Sequence, residues 1–490
     1  MMMMKHNKHT DAMLSMTPVV ILVVLLVIVI RQFGSDALDG ASQVALTLSA
    51  GVACLIAMRH FNVPWRDLET GIQDSISGVT SALLILLLIG ALAGMWILSG
   101  VVPSLIYYGL QIMHPKFFLV STCVICCLVS MLTGSSWSTI ATIGIALLGI
   151  GQAQGFDEGL VGGAIISGSY FGDKMSPLSD TTVLASSMSE TPLFTHIRYM
   201  VITTVPAITI TLIIFTVLGL THTVADGGDV AVYTESLSSH FNITPWLLLV
   251  PAATFLLIAR KMPALIVLFL GTLFGVVFAL IFQPHILAEV AGAAQADAES
   301  LFVGVVRGIY DSTSIDMGNE LVTELVATNG MTGMLNTIFL IICAVSFGGC
   351  MTSSGMLQQI TNLILPLTRK RAGLVASTVG TGIFMNGVAS DQYLAIIITA
   401  NMYKGVYAER GYENRLLSRS IEDSATVTSP LFPWSSCGMT QATILNVPTM
   451  TYLPYCFFNL LCPVMSILVA LTGYKIYKRV AGETANGQNK

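Results

Sequence analysis

The sequence predicts an all-α polytopic membrane protein, built from inverted-topology repeats with re-entrant hairpins and broken helices. Three observations point there. Of 490 residues, 54% are hydrophobic and only 10% charged, with mean hydropathy +0.78; a soluble domain carries about 25% charged residues. Apolar runs of about 20 residues, the length that crosses a bilayer, recur from end to end. They are continuous rather than alternating, so they read as helices and not outer-membrane strands. Finally, the two halves of the chain repeat one order of breaks. The composition excludes a soluble enzyme and a disordered chain, and no enzymatic activity is expected. A net charge of −5 and a pI near 5.9 leave no basic field to hold nucleic-acid phosphates.

Helices are expected near 16–33, 40–58, 78–112, 116–132, 137–152, 158–190, 199–220, 244–260 and 262–283. The later part adds 333–365, 372–386, 390–405, 412–444 and 447–474. Lys5 and Lys8 precede the first apolar run, 17–30, and no small-residue cleavage site follows, so it reads as a retained helix. The pairs 116–132 with 137–152 and 372–386 with 390–405 are joined by a few residues only. Each is either two full spans or one re-entrant hairpin, and both return the chain to the side it left. The resulting divisions are N-terminal helices 1–64, a first repeat 65–220, connecting helices and an external loop 221–332, a second repeat 333–474 and a cytoplasmic tail 475–490.

Charge sets the sidedness. With the N-terminus inside, 18 of the 22 Lys and Arg residues fall in cytoplasmic segments; only Arg31, Lys116 and Arg307 fall outside, and Lys174 lies within a span. The outer loops are acidic, with Asp36, Asp39, Asp157, Asp226, Glu289 and Asp297 among them. This satisfies the positive-inside rule and places both termini on the cytoplasmic face of the (inner) cell membrane. Cys123, Cys126 and Cys127 sit in an apolar run and read as small packing residues rather than a metal site. The lone histidines, His196 among them, read as interfacial. The segment 298–330, with Asp311, Asp316, Glu320 and Glu324, reads as an external amphipathic cover.

A shift of about 254 residues reveals weak self-similarity. Gly94-Met95 and Ser99-Gly100 fall on Gly349-Cys350 and Ser354-Gly355; Thr133-Gly134-Ser135-Ser136 falls beside Asn386-Gly387-Val388-Ala389; Ser176-Pro177-Leu178 falls on Ser429-Pro430-Leu431. The helix at 78–112 begins inside and its partner at 333–365 outside, so the halves are inverted. Inverted repeats with interrupted helices are the architecture of secondary transporters, with the site where the repeats meet.

The breaks carry the chemistry. Glycine weakens the helix after Ile166, and Pro177 denies it a donor, so the chain should unwind within Ser167–Thr182. Pro430 and Pro433 do the same in the second half. Backbone freed at membrane depth needs a cavity, water or a cation as partner, and buried carboxylates there are functional candidates. The candidate ion-binding residues are Asp173, Ser176, Asp180 and Thr181 from the first half, with Asn386, Ser390, Asp391, Asp423, Thr428 and Ser429 from the second. Asp173, Asp180 and Asp391 are the expected Na⁺ ligands. Lys174, Thr133, Ser135 and Ser136 are candidate contacts for an organic anion. Hard oxygen donors suit hard cations. A carboxylate in a poorly hydrated site favours its protonated form, whereas bound Na⁺ favours the ionised one, so the two ions compete. No GxxxxGK[ST] string supplies ATP chemistry. Blander roles are also open: Asp180 and Asp391 as helix caps, Asp173 neutralised by Lys174, and Glu422 facing cytoplasmic water beside Arg415 or Arg419.

Three stretches resemble the NhaC-type sodium/proton antiporter family of the ion-transporter superfamily: 168–182, 389–397, and 417–431 with Pro433-Trp434. The similarity runs from about 65 to 475. It implies Na⁺/H⁺ exchange, with Li⁺ as a surrogate. It also covers relatives that couple malate uptake to lactate export, and others that exchange small organic anions or amino acids. The resemblance implies no cofactor beyond the transported Na⁺ and H⁺, and a lipid bilayer as surroundings; small carboxylates and a homodimer stay open as partners. One departure bears on substrate. No lone buried arginine is evident at a break, and Lys174 is the only basic residue read within a span. An unpaired Lys174 facing the cavity would favour an organic anion, and a Lys174 paired with Asp173 the cation alone.

Overall fold

The computed structural model describes residues 8–33, 40–221, 227–260, 262–319, 322–323, 326–362 and 370–478. Lys5, Asp36, Asp39, Asp226, Lys261, Glu320, Glu324, Arg369 and the tail from Arg479 lie outside the described residues. The described chain is helical, with only two isolated bridges, Thr313 to Thr328 and Tyr412 to Lys478. Eight helices are long and apolar enough to cross a membrane, or up to ten if two bent pairs each make one span. The protein is a multi-pass membrane protein.

Most boundaries follow the apolar pattern, and the departures have physical causes. The helix expected at 78–112 starts at Trp65, because its first turns are polar and its amphipathic stretch is invisible to an apolar-run reading. It stops at Leu98 and restarts at Val101, with Gly100 between them at φ 80. The second half does the same: Leu335–Ser353 gives way to Met356–Asn362, with Gly355 at φ 73. Both glycines sit at the matched Ser-Gly positions of the repeat, in a left-handed conformation that other residues rarely adopt. Helices Gly227–His240, Pro284–Ala291 and Ala298–Tyr310 were not expected. The last is capped by Asp297, which accepts from Ser300 N at 2.8 Å, and it packs through Gly308 onto Leu98.

The element order recurs across the halves. A hairpin, Phe118–Thr133 with Ser136–Ala153, precedes a broken helix, Glu158–Met175 with Asp180–Met188. The second hairpin, Arg371–Val388 with Gln392–Glu409, precedes Asn414–Ile421, a π turn Glu422–Thr426, a 3₁₀ turn Ser429–Leu431 and the restart Ser436–Leu445. The first hairpin lies hard against the first broken helix. A side chain at Gly168 would strike Cys123 O, and one at Gly172 would strike Cys127 O. The cysteines there are buried and free, as small packing residues should be. Among the described residues, no group of three His, Cys, Asp or Glu is placed to hold a metal.

Candidate functional site

The first break is narrower than the stretch Ser167–Thr182: the helix tolerates its glycines through Met175 and unwinds only around Pro177. The helix ends at Met175, and Ser176 Oγ accepts from Leu178 N at 3.2 Å, holding the turn. The restart is capped by Ser179, whose hydroxyl accepts from Thr182 N at 3.3 Å and contacts Thr181 Oγ1 at 3.0 Å. Asp180 is therefore not the cap; it occupies the first helical position and is left free for another role. Ser176 and Thr181 are buried scaffolding of the turn and do not line the cavity.

That cavity, about 380 Å³, lies between the first hairpin tip, the first break and the start of the second hairpin's outgoing arm. Its polar lining includes Thr133, Ser135, Ser136, Asp173, Asp180 and Gln392. Gly134 lets the tip approach: a Cβ there would lie 2.7 Å from the Leu178 backbone. Asp173 is the buried acid of the site, 4% exposed. Its Oδ2 accepts from Ser136 N at 3.1 Å and from Ser136 Oγ at 2.7 Å, while Oδ1 is buried and accepts no hydrogen bond. Asp180 is exposed to the cavity. Its Oδ2 accepts from the Tyr393 hydroxyl at 2.5 Å, and Oδ1 from Thr181 N at 3.0 Å. Two carboxylates thus face one chamber whose lining contains no basic side chain.

The second-half residues lie behind this wall. Asp391 caps Leu394 N at 3.0 Å and accepts from Ser436 Oγ at 3.1 Å; it is buried and does not line the cavity. Of the three expected Na⁺ ligands, the structure brings Asp173 and Asp180 together and leaves Asp391 as a cap. Ser390, at φ 57, turns the hairpin tip, and its carbonyl accepts from Ser436 N at 2.8 Å. Ser429 Oγ donates to Gln392 Oε1 at 2.9 Å, linking the second break to a cavity residue. Asn386 donates to Ala425 O at 2.7 Å and to Thr428 Oγ1 at 3.0 Å, so the second hairpin holds the unwound backbone.

Asp423 is placed elsewhere. Lys174 does not pair with Asp173; its ammonium donates to Asp423 Oδ1 and meets Cys462 Sγ at 3.1 Å, with both charged side chains fully buried. Thr203 donates to the same Asp423 oxygen at 3.0 Å. Lys174 lines no part of the cavity. Nor is it the only buried basic residue. Arg419 is fully buried, with Nε 3.7 Å from Asp423 Oδ2 and its guanidinium 4.7 Å from the Tyr199 ring centre. Glu422 is fully buried and faces no water. His196 is buried too, 2.8 Å from Ser418 Oγ, and is not interfacial. Sequence reading missed the burial of Arg419 because its helix, Asn414–Ile421, is strongly polar in composition and looks solvent-exposed.

Comparison with known proteins adds a family match and three relatives. The sequence profile of the Na⁺/H⁺ antiporter family matches residues 9–166 and 168–474. The chain is 36% identical over 434 residues to the Na⁺/H⁺ antiporter NhaC of Alkalihalophilus pseudofirmus, covering 87% of this chain and 90% of that one. It is 36% identical over 442 residues to the malate-2H⁺/Na⁺-lactate antiporter of Bacillus subtilis, covering 90% and 91%. It is also 31% identical over 472 residues to an arginine/ornithine antiporter of Halobacterium salinarum, covering 95% and 93%.

Proposed function

The chain belongs to the Na⁺/H⁺ antiporter family, and from that premise we propose that it exports Na⁺ across the cytoplasmic membrane in exchange for protons, the two ions competing for Asp173 and Asp180. The observation that carries this reading is the state of Asp173. One oxygen is fixed by the hairpin tip through Ser136, and the other is buried and bare at the edge of the cavity. A proton satisfies that oxygen directly. A Na⁺ ion in the chamber does so with Asp180, the nearby hydroxyls and water as further oxygen donors. Because one group holds either ion, and the empty carrier changes sides slowly, the two fluxes are coupled. Gly78 follows Arg66, and Met262 follows Arg260. Both residues border the cavity, so with the sidedness read from charge it opens to the cytoplasm. Both termini are cytoplasmic on this reading.

The test is Na⁺-driven proton movement in proteoliposomes. Asp173→Asn, which keeps the shape and the Ser136 contact, abolishes it while the protein stays monodisperse. Wild-type coupling in that variant removes Asp173 from the site.

A Na⁺- and H⁺-coupled organic-anion or amino-acid antiporter is the second reading. Two features favour it: the fully buried guanidinium of Arg419, none of whose N–H groups is hydrogen-bonded, and the identity to the malate/lactate and arginine/ornithine antiporters. The acid-lined chamber without a basic residue weighs for the inorganic cation. Na⁺ movement driven by a malate or lactate gradient would reverse that choice.

A further inference from the structure

Glu422 is the carboxylate that the ion cavity leaves unused. It opens the π turn Glu422–Thr426 and is fully buried, and neither of its oxygens accepts a hydrogen bond. No ion pair reaches it among the described residues. The charged and titratable groups around it are engaged elsewhere. Lys174, from the first broken helix, is bound to Asp423 and Cys462. Arg419, on its own helix, is held over Tyr199 and against Asp423. Lys174 attracts its ionised form, and Asp173 and Asp423 repel it. His196, from helix Leu193–Thr221, is held by Ser418, and Tyr403 and Tyr407, from the second hairpin, by Thr381 and Thr378. Asp180 is held by Tyr393. In this arrangement an ionised carboxylate would be buried with no hydrogen bond to hold its charge; the neutral acid avoids that cost.

We propose that Glu422 is a second proton-carrying site, separate from the cavity where Na⁺ and H⁺ compete, so that an additional proton moves with each transport cycle. This rests on the Na⁺/H⁺ reading above. The geometry supplies a partner for the released form. Arg419 lies three residues earlier, and none of its three guanidinium nitrogens makes a hydrogen bond. Residues three apart on a helix share a face, and the π turn is the segment whose winding can change to bring them together. When that rewinding admits water, the Glu422 O–H bond breaks, the proton passes to the entering water, and the carboxylate is left paired with the guanidinium. Charge is conserved within the protein and its surroundings, and no other reactant is needed.

The experiment uses the full chain in proteoliposomes, with ²²Na⁺ flux and proton flux read together at imposed valinomycin–K⁺ potentials. Wild type carries more than one proton per Na⁺, and an inside-negative potential accelerates Na⁺ export. Glu422→Gln mimics the protonated acid. It keeps Na⁺/Na⁺ exchange, carries about one proton fewer per Na⁺ and loses its response to voltage. Glu422→Asp, which can still titrate, keeps the wild-type ratio. An unchanged ratio and voltage response in Glu422→Gln overturns the proposal and assigns the residue a structural role. Loss of Na⁺/Na⁺ exchange in that variant, with intact fold, overturns it in favour of a cation ligand. A Glu422→Asp variant that behaves like the glutamine also overturns it. Wild type that moves no protons in response to Na⁺ removes the parent reading and this one together, a result distinct from the others.

Discussion

The ammonium of Lys174, in the first broken helix, donates to Oδ1 of Asp423, in the second, and water reaches neither side chain. A buried pair of this kind is strongly destabilised when only one partner is removed, because the survivor is left charged and alone. Lys174→Ala or Asp423→Ala should therefore lower stability by about 3–5 kcal/mol. The double change Lys174→Met with Asp423→Leu should recover much of that loss. Thermal unfolding in detergent reads the difference; single and double variants of equal stability would show that the pair is dispensable.

Ser136 gives Asp173 both its hydrogen bonds, one from backbone and one from hydroxyl. A hydrogen bond to a charged group contributes about 1.5–3 kcal/mol. Ser136→Ala removes the hydroxyl donor that steadies the ionised carboxylate, so half-saturating Na⁺ should rise by about tenfold or more at fixed pH, with little change in the maximal rate. Unaltered Na⁺ dependence would mean that Asp173 does not bind the ion in its charged form.

Competition has a definite sign. Lowering the pH places a proton on the shared Asp173 carboxylate, so half-saturating Na⁺ should rise as pH falls, approaching about tenfold per unit once the protonated form dominates. The maximal rate at saturating Na⁺ should be far less affected. A pH effect confined to the maximal rate would place proton and cation on different groups.

Two glycines make a stability control. Gly134→Ala puts a methyl 2.7 Å from the Leu178 backbone at φ 69, and should cost about 1–3 kcal/mol and disturb the cavity. Gly51→Ala, with nothing within 4 Å of the new atom in an exposed stretch of helix, should be neutral or stabilising by up to about 1 kcal/mol. Melting temperatures and Na⁺ flux of both variants check this directly.

The breaks were legible because proline and glycine act locally: Ser176-Pro177 follows the end of a helix, and Ser429-Pro430 opens the 3₁₀ turn of the second break. The Ser99-Gly100 and Ser354-Gly355 matches marked the repeat, but the left-handed bend at each glycine interrupts helices expected to be continuous over 78–112 and 333–365. Side-chain direction was not legible to the same depth. Successive residues on a helix point about 100° apart, so Asp173 can edge the chamber while Lys174 points to the other broken helix. The same step separates Glu422 from Asp423. Composition misled in two places. The polar turns after Trp65 hid the start of a long helix, and the charges of Asn414–Ile421 suggested water where the structure has packed protein. Asp391 shows a further limit, since a carboxylate at a hairpin tip has the same sequence signature whether it caps a helix or faces an ion.

The Lys174–Asp423 link acts as a rivet. It fastens the two interrupted helices across the molecule's pseudo-symmetry, in a dry setting where letting go is expensive. Sliding of one against the other is thereby resisted, and the opposite wall of the chamber, formed by Gly78, Ser81 and Val267, is the side left free to shift. Spin labels on Gly78 and Tyr393 should accordingly report two separations during turnover, while a pair bracketing the rivet holds a single one.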